Sequence, residues 1–171
     1  HPLQALRPAA RCRAGQRWEW DGVRFDVLHP GEGDGQPSAR PNTVSCVLRI
    51  SNGNATALLA GDIERQQEAT LAGSVAERLR ADVLLVPHHG SKTSSSGPFL
   101  DAVGPRIGLV QAGYRNRFGH PAGEVAARYA ARGARLVENV RCGAAHWRSA
   151  SPADVGCQRE RQARYWQHRP R

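Results

Sequence analysis

"DVLLVPHHGSKTSSSGPFLDAVGPRIGLVQAG", residues 82–113, contains two nearly continuous apolar runs, one up to Val86 and one starting at Ile107. Between them lie a turn with two histidines and a short helix that Pro98 opens and that runs to Val103. Continuous rather than alternating apolar runs predict strands covered on both faces. Strand, helix and strand in succession point to α/β layers rather than to an all-β sandwich.

Upstream, "RWEWDGVRFDVLHP" (17–30) alternates apolar and polar residues around Asp21-Gly22, a pair that accepts positive φ, and reads as a β-hairpin. "PGEGDGQPSARPN" (30–42) is a surface loop. "TVSCVLRI" and "ATALLA" form a second hairpin across Ser51–Asn54. In "IERQQEATLAGSVAERLR" (63–80), Ile63, Leu71, Val75 and Leu79 make a helical stripe interrupted by Gly73.

Downstream, "PAGEVAARYAAR" (121–132) is a helix closed by Gly133. "ARLVENVRCGAAHWRS" (134–149) suggests a final pair of strands, and a basic tail containing Trp166 follows from about residue 156. The expected order is ββ-ββ-α-β-α-β-α-ββ in one domain over residues 1–171, without internal repeats.

At 171 residues the chain can bury a real core. It contains no methionine and begins at His1, as a piece of a longer protein would. It carries 24 basic against 15 acidic residues, a net charge of +9, and Lys92 is its single lysine. An arginine-dominated surface suits polyanions, nucleic acid first and anionic membrane second; solvated charge is the plain alternative. Cys12, Cys46, Cys142 and Cys157 show no C-x-x-C pair, which disfavours a structural zinc knot and leaves buried thiols or disulfides open. No stretch approaches the ~20 apolar residues of a membrane span, so this piece is expected to be soluble.

"AGDIE" (60–64), "PHHGS" (87–91) and "YRNRFGHP" (114–121) each follow a predicted strand, and strand ends of layered α/β folds converge on one crevice. Asp62 is either a helix N-cap or a rigidly held metal-binding carboxylate, with Glu64 a first-turn acid favouring the helix dipole. Of His88 and His89, at most one faces a metal directly while the other orients it or meets substrate. Gly90 turns the chain away. Ser91, Lys92, Thr93 and Ser94–Ser96 offer donors suited to phosphate, or are simply a loop. His120, beside Tyr114, Arg115 and Arg117, either helps grip a sugar-phosphate backbone or neighbours a helix whose first residue is Pro121.

"RCRAGQRWEWDGVRFDVLHP", "NTVSCVLRI", "LLAGDIE", "DVLLVPHHGSKTSSSGPFLDAV" and "GYRNRFGHP", in that order, make the whole chain resemble the C-terminal metallo-β-lactamase-like domain of the ComEC family of bacterial DNA-uptake competence proteins. The resemblance implies an αββα sandwich with one or two divalent ions, zinc or manganese, at the edge of its sheets. Asp62 matches the carboxylate that can bridge two ions, and the His-His-Gly-Ser turn matches a histidine-bearing motif. It makes Asp62, His88 and His89 the metal-site residues, with His89 favoured over His88 as the direct ligand because it immediately precedes Gly90; it makes Asp62 and His89 catalytic, and Ser91, Lys92, Arg117 and His120 substrate contacts.

One departure matters physically. The family's S-H-x-D-x-D-H cluster is nowhere in this chain; in the family it lies upstream of the "RCRAGQRW" segment. A catalytic metal needs about three protein ligands besides water. The chain is therefore expected to be the C-terminal part of an α/β sandwich whose first strands and main metal motif are missing. Alone, it should hold no metal tightly and be catalytically silent. Its uncovered sheet should favour self-association.

The parent is expected to be an inner-membrane protein with this domain on the periplasmic side. Its partners would be incoming DNA, single- or double-stranded, and the membrane channel of the same polypeptide. The parent activity implied is metal-dependent phosphodiester hydrolysis. A non-catalytic basic module that guides DNA is the alternative from another class, and a small-molecule metallohydrolase is a third.

Overall fold

Strand pairing follows the turns written into the sequence. The computed structural model describes residues 10–34 and 40–163. β1 (Arg17–Trp20) and β2 (Val23–His29) pair antiparallel around Asp21 and Gly22, whose φ values of +50° and +72° suit the short turn. β3 (Val47–Ser51) and β4 (Thr56–Leu59) form the second hairpin. There Asn52 Oδ1 accepts the N–H groups of Asn54 and Ala55 at 3.2 and 3.3 Å.

From β4 onward the strands run parallel, so each connection must cross over, and a helix does so each time. α1 (Arg65–Ser74) and α2 (Ala76–Leu79) lead to β5 (Val83–Leu85), α3 (Gly97–Val103) to β6 (Ile107–Val110), and α4 (Gly123–Ala130) to β7 (Arg135–Glu138). The result is a mixed α/β fold on one seven-stranded sheet in the strictly sequential order β1 to β7. The helical stripe read over 63–80 is broken at Val75, φ −140°, near the glycine that interrupts it.

The two sheet faces differ. Leu58 and Leu84, partners in register, pack with Leu71, Leu79, Phe99, Leu100, Val103, Val125 and Tyr129 in the helix-covered core. On the other face, register aligns Trp18, Phe25, Ile50, Ala57, Val83 and Ile107 in one row, and Val27, Leu48, Leu59, Leu85 and Leu109 in the next. Val27, Val83 and Ile107 are buried, but Leu85 and Leu109 are half-buried, and Leu59 and Trp18 are 36% and 47% exposed. "DVLLV" is thus closed on the helix side and only partly covered on the other, where a strand covered on both faces was expected.

Three further expectations need correction. The helix after "GHP" begins at Gly123 with Ala122 as its N-cap, so Pro121 is not its first residue. β7 adds to the main sheet beside β6 instead of pairing with the segment after it. Asn139 Oδ1 accepts the Ala112 N–H at 2.9 Å where the chain turns into α5 (Asn139–Cys142). β8 (Ala145–Trp147) then pairs with β9 (Val155–Cys157) in a separate ribbon, followed by α6 (Gln158–Arg161), so the supposed tail is structured at least that far. Trp166 lies outside the described residues. All four cysteines are bridged, Cys12 to Cys46 and Cys142 to Cys157.

Glu68, on α1, is fully buried, and its carboxylate accepts the N–H groups of Ser95 and, at 2.8 Å, Ser96, the residue that caps α3. Arg128 donates to the carbonyls of Ser94 and Ser95 at 2.9 and 2.7 Å, and the Ser95 and Tyr129 hydroxyls meet at 3.3 Å. Burial pushes the Glu68 carboxyl above its usual range, more than the serine donors and Arg128 pull it down. Its protonation therefore stabilises the fold fully below pH 4.5, and that contribution is lost as pH rises through the elevated pKa. Glu68→Gln is expected to cost about 1–3 kcal/mol by urea denaturation. The variant should also lack the Glu68-linked loss of stability expected as pH rises from 4.5.

Candidate functional site

Asp62 stands three residues beyond the end of β4, where Gly61 (φ +56°) turns the chain. Its N–H donates to Ser45 Oγ at 3.1 Å. The N-cap of α1 is Glu64, whose N–H donates to Gln67 Oε1 at 3.3 Å, so the Asp62 carboxylate is not used as a helix cap.

After β5, Pro87–Gly90 form a single turn with three successive residues in the left-handed region: His88 (φ 48°, ψ 42°), His89 (φ 56°, ψ 16°) and Gly90 (φ +83°). For two non-glycine residues this costs about 1–3 kcal/mol each, which surrounding contacts must offset. They do so from several directions. The His88 N–H donates to Gly61 C=O at 2.9 Å, Ala122 N–H to Gly90 C=O at 2.9 Å, and Ser94 Oγ to Pro87 C=O at 2.8 Å. The histidine rings diverge because of this turn, not because they alternate along a strand.

His89 Nδ1 lies 2.6 Å from the Gln111 carbonyl, which can only accept a hydrogen bond. In the neutral ring the proton therefore sits on Nδ1, and Nε2 presents its lone pair 3.6 Å from Asp62 Oδ1. Two ligands of one tetrahedral ion at about 2.1 Å would stand roughly 3.4 Å apart. Carboxylate and imidazole are thus spaced as a pair of metal donors, with the backbone carbonyl fixing the ring as second-sphere partners do. Both side chains are about half exposed.

His88 points elsewhere. Its Nδ1 is 3.3 Å from Glu64 Oε1, and Thr93 Oγ1 donates to the same carboxylate oxygen at 3.0 Å. His120 completes a run of rings, with centroids 6.3 Å from His88, itself 6.4 Å from His89. Burial, then the neighbouring His88 and His89, hold its pKa below the usual histidine value. His120 Nδ1 is buried with no hydrogen-bond partner among the described residues.

The predicted phosphate donors separate into two groups. Ser91 is buried with its hydroxyl 3.2 Å from that of Thr93, and Ser94 and Ser95 are fully buried, so these serines brace the turn instead of facing a ligand. Lys92 and Thr93 are exposed, and the Arg117 guanidinium lies over the exposed Phe118 ring at 4.8 Å. Sequence reading missed Gln111 as the group that orients His89; no spacing signals a carbonyl acceptor on another strand's end. It gave Glu64 to the helix dipole, although the D-x-E spacing after β4 brings the acid to His88. It also passed over Phe118.

Gly90 carries a local requirement that can be measured. A Cβ there would stand 2.7 Å from Pro121 Cβ and 2.9 Å from its Cα, at a φ that L side chains rarely adopt. Gly90→Ala is expected to destabilise the chain by about 2–4 kcal/mol in thermal or urea unfolding, through overlap and left-handed strain together.

Among the described residues no group of three or more His, Cys, Asp or Glu side chains is placed to hold a metal ion. Asp62 and His89 are two side chains of donor type, fewer than the three protein ligands a catalytic metal needs.

No family model matches the chain. It is 40% identical over 162 residues to the competence protein ComA of Neisseria gonorrhoeae, a match covering 94% of this chain and 23% of that protein. It is 34% identical over 127 residues to the uncharacterized protein YcaI of Escherichia coli, covering 74% of the chain and 16% of the relative. Recombination protein 2 of Haemophilus influenzae is 36% identical over 110 residues, covering 64% and 13%. The chain spans less than a quarter of the length of these curated relatives. With its similarity spread over nearly the whole chain, it belongs to the ComA/ComEC family of competence proteins, as one segment of that longer polypeptide.

Proposed function

We propose that this chain is the C-terminal part of a metal-dependent phosphodiesterase domain that acts on DNA during bacterial transformation. The observation that carries the reading is the Asp62–His89 pair: two donors 3.6 Å apart, with the imidazole tautomer set by Gln111. A carboxylate with an imidazole suits zinc or manganese. The remaining ligands would come from the histidine-aspartate cluster that this sequence lacks. The competence context comes from the names of the relatives.

The sheet supports the finer fold assignment. Its helix-free face carries two apolar rows with Leu85 and Leu109 half-buried and Leu59 36% exposed. A second sheet against that face would complete a metallo-β-lactamase-like αββα sandwich and give those rows a partner. Two disulfides suit an oxidising compartment and hence the periplasmic side of the inner membrane. No helix among the described residues is long and apolar enough to cross a membrane; anchoring would fall to the channel portion of the parent.

Within the site, Asp62 and His89 would hold the ion, which supplies Lewis-acid charge for phosphodiester cleavage. Glu64 orients His88 through Nδ1, leaving Nε2 free to take or return a proton. Lys92 and Arg117, both exposed, would supply counter-charge to phosphate oxygens, and His120, its pKa held low, would add a hydrogen-bonding edge without adding charge.

The deciding experiment uses the natural protein extended upstream through the missing cluster. It should cleave labelled DNA with manganese or zinc, and Asp62→Ala should abolish cleavage while DNA binding persists. Binding without cleavage by the unaltered extended protein would instead select a DNA-guiding module. That rival rests on the arginine-rich composition and the net charge of +9.

The 171-residue chain alone is expected to retain well under one metal per chain after dialysis. It should also associate with itself as concentration rises in sedimentation velocity, through the helix-free sheet face. Its DNA affinity should fall with salt by a slope of about one per phosphate contacted; no affinity even at low salt would point to a small-molecule substrate.

A further inference from the structure

Residues 114–118 form a loop beside the histidines that contains more than the proposed chemistry requires. Phe118 is 65% exposed and Tyr114 47% exposed. Each ring has an arginine against it: Arg117 lies 4.8 Å from the Phe118 centroid, and Arg115 lies 5.2 Å from that of Tyr114. Phe118 also lies nearly parallel to His120, at 17° and 5.6 Å.

The loop is held in place by its own hydrogen bonds. Asn116 Nδ2 donates to the carbonyls of Gly113 and His120 at 3.1 and 2.7 Å, and Asn116 Oδ1 accepts the His120 N–H at 2.9 Å. Its backbone adds two more bonds, its N–H to Gly113 C=O and its C=O from the Gly119 N–H, both at 3.1 Å. The rings are therefore exposed by construction.

Exposed aromatic rings paired with guanidinium groups are how proteins hold unpaired nucleotides. Every base offers a face that can stack on a ring, and arginine adds both cation–π attraction and phosphate charge. A duplex keeps its base faces buried in its own stack, so such a platform discriminates against it. The rings also form a ladder, Phe118 to His120 to His88 to His89, ending at Asp62.

We infer that Phe118, backed by His120 and Arg117, is a base-stacking platform that makes this site select single-stranded over double-stranded DNA. The inference rests on the DNA reading above and adds the form of DNA and the residue that chooses it.

The test uses the 171-residue chain in EDTA, so that no metal contributes, at low salt. Binding of a labelled oligothymidylate is compared with that of a duplex of equal length by anisotropy, for wild type, Phe118→Ala and Phe118→Trp. Wild type should prefer the single strand. Phe118→Ala should weaken single-strand binding roughly tenfold while leaving duplex binding unchanged, and Phe118→Trp should restore it. Because the ring is largely exposed, the alanine variant should retain the wild-type circular dichroism spectrum and melting temperature.

As a second readout, ultraviolet crosslinking of a bromouracil-containing single strand should map to Phe118 in wild type. Equal losses for both DNA forms, or no loss with Phe118→Ala, would overturn the platform and leave the DNA reading standing. Failure of both DNA forms to bind would overturn both readings.

Discussion

Everything at the candidate site hangs on one left-handed turn. His88, His89 and Gly90 all take positive φ, a conformation that two imidazole-bearing residues adopt only when their surroundings oblige them to. The surroundings do so from four sides: Gly61 after β4, Gln111 after β6, Ala122 before α4, and Ser94 on the loop that follows. Between them they represent all three connections of the parallel half of the sheet, Gln111 and Ala122 sharing the one from β6 to β7. The turn is thus both the place where chemistry would occur and the joint that holds those connections together.

The loop after the turn is supported from behind by a buried carboxyl group. Glu68 reaches from α1 to cap α3, and Arg128 reaches from α4 to the carbonyls just before it. Many arginines have similar structural jobs: Arg17 and Arg78 contact buried Asp26, and Arg132 is paired with Asp101. The count of 24 basic residues therefore overstates the cations available to a polyanion. Lys92, Arg115 and Arg117 are exposed on the loops that carry or follow the histidines, and the last two sit where aromatic rings are also exposed.

The sequence made the sheet's first six strands and the helices between them legible because those segments obey local rules: positive-φ pairs at hairpin turns, continuous apolar runs at parallel strands, and Pro and Gly at helix ends. It misplaced what depends on distant partners. β7 reads like the start of a hairpin, and only its register against Ile107–Val110 assigns it to the main sheet. β9 looks like basic tail, yet it pairs with Ala145–Trp147 beside a disulfide that four scattered cysteines could not announce. At the site, residue type and strand-end position singled out Asp62, His88, His89 and His120, which the structure places within one run of contacts. Which serines face inward and which carbonyl orients His89 are properties of packing, and no spacing in the chain encodes them.

The strand order has a bearing on how the molecule comes into being. Because β1 through β7 lie side by side in the order they are synthesised, every strand finds its docking edge already present in the one made just before it. No strand must wait for a distant segment or insert between two others, so the sheet can lengthen from one end as the polypeptide emerges. Until its successor arrives, the newest strand is always the growing edge.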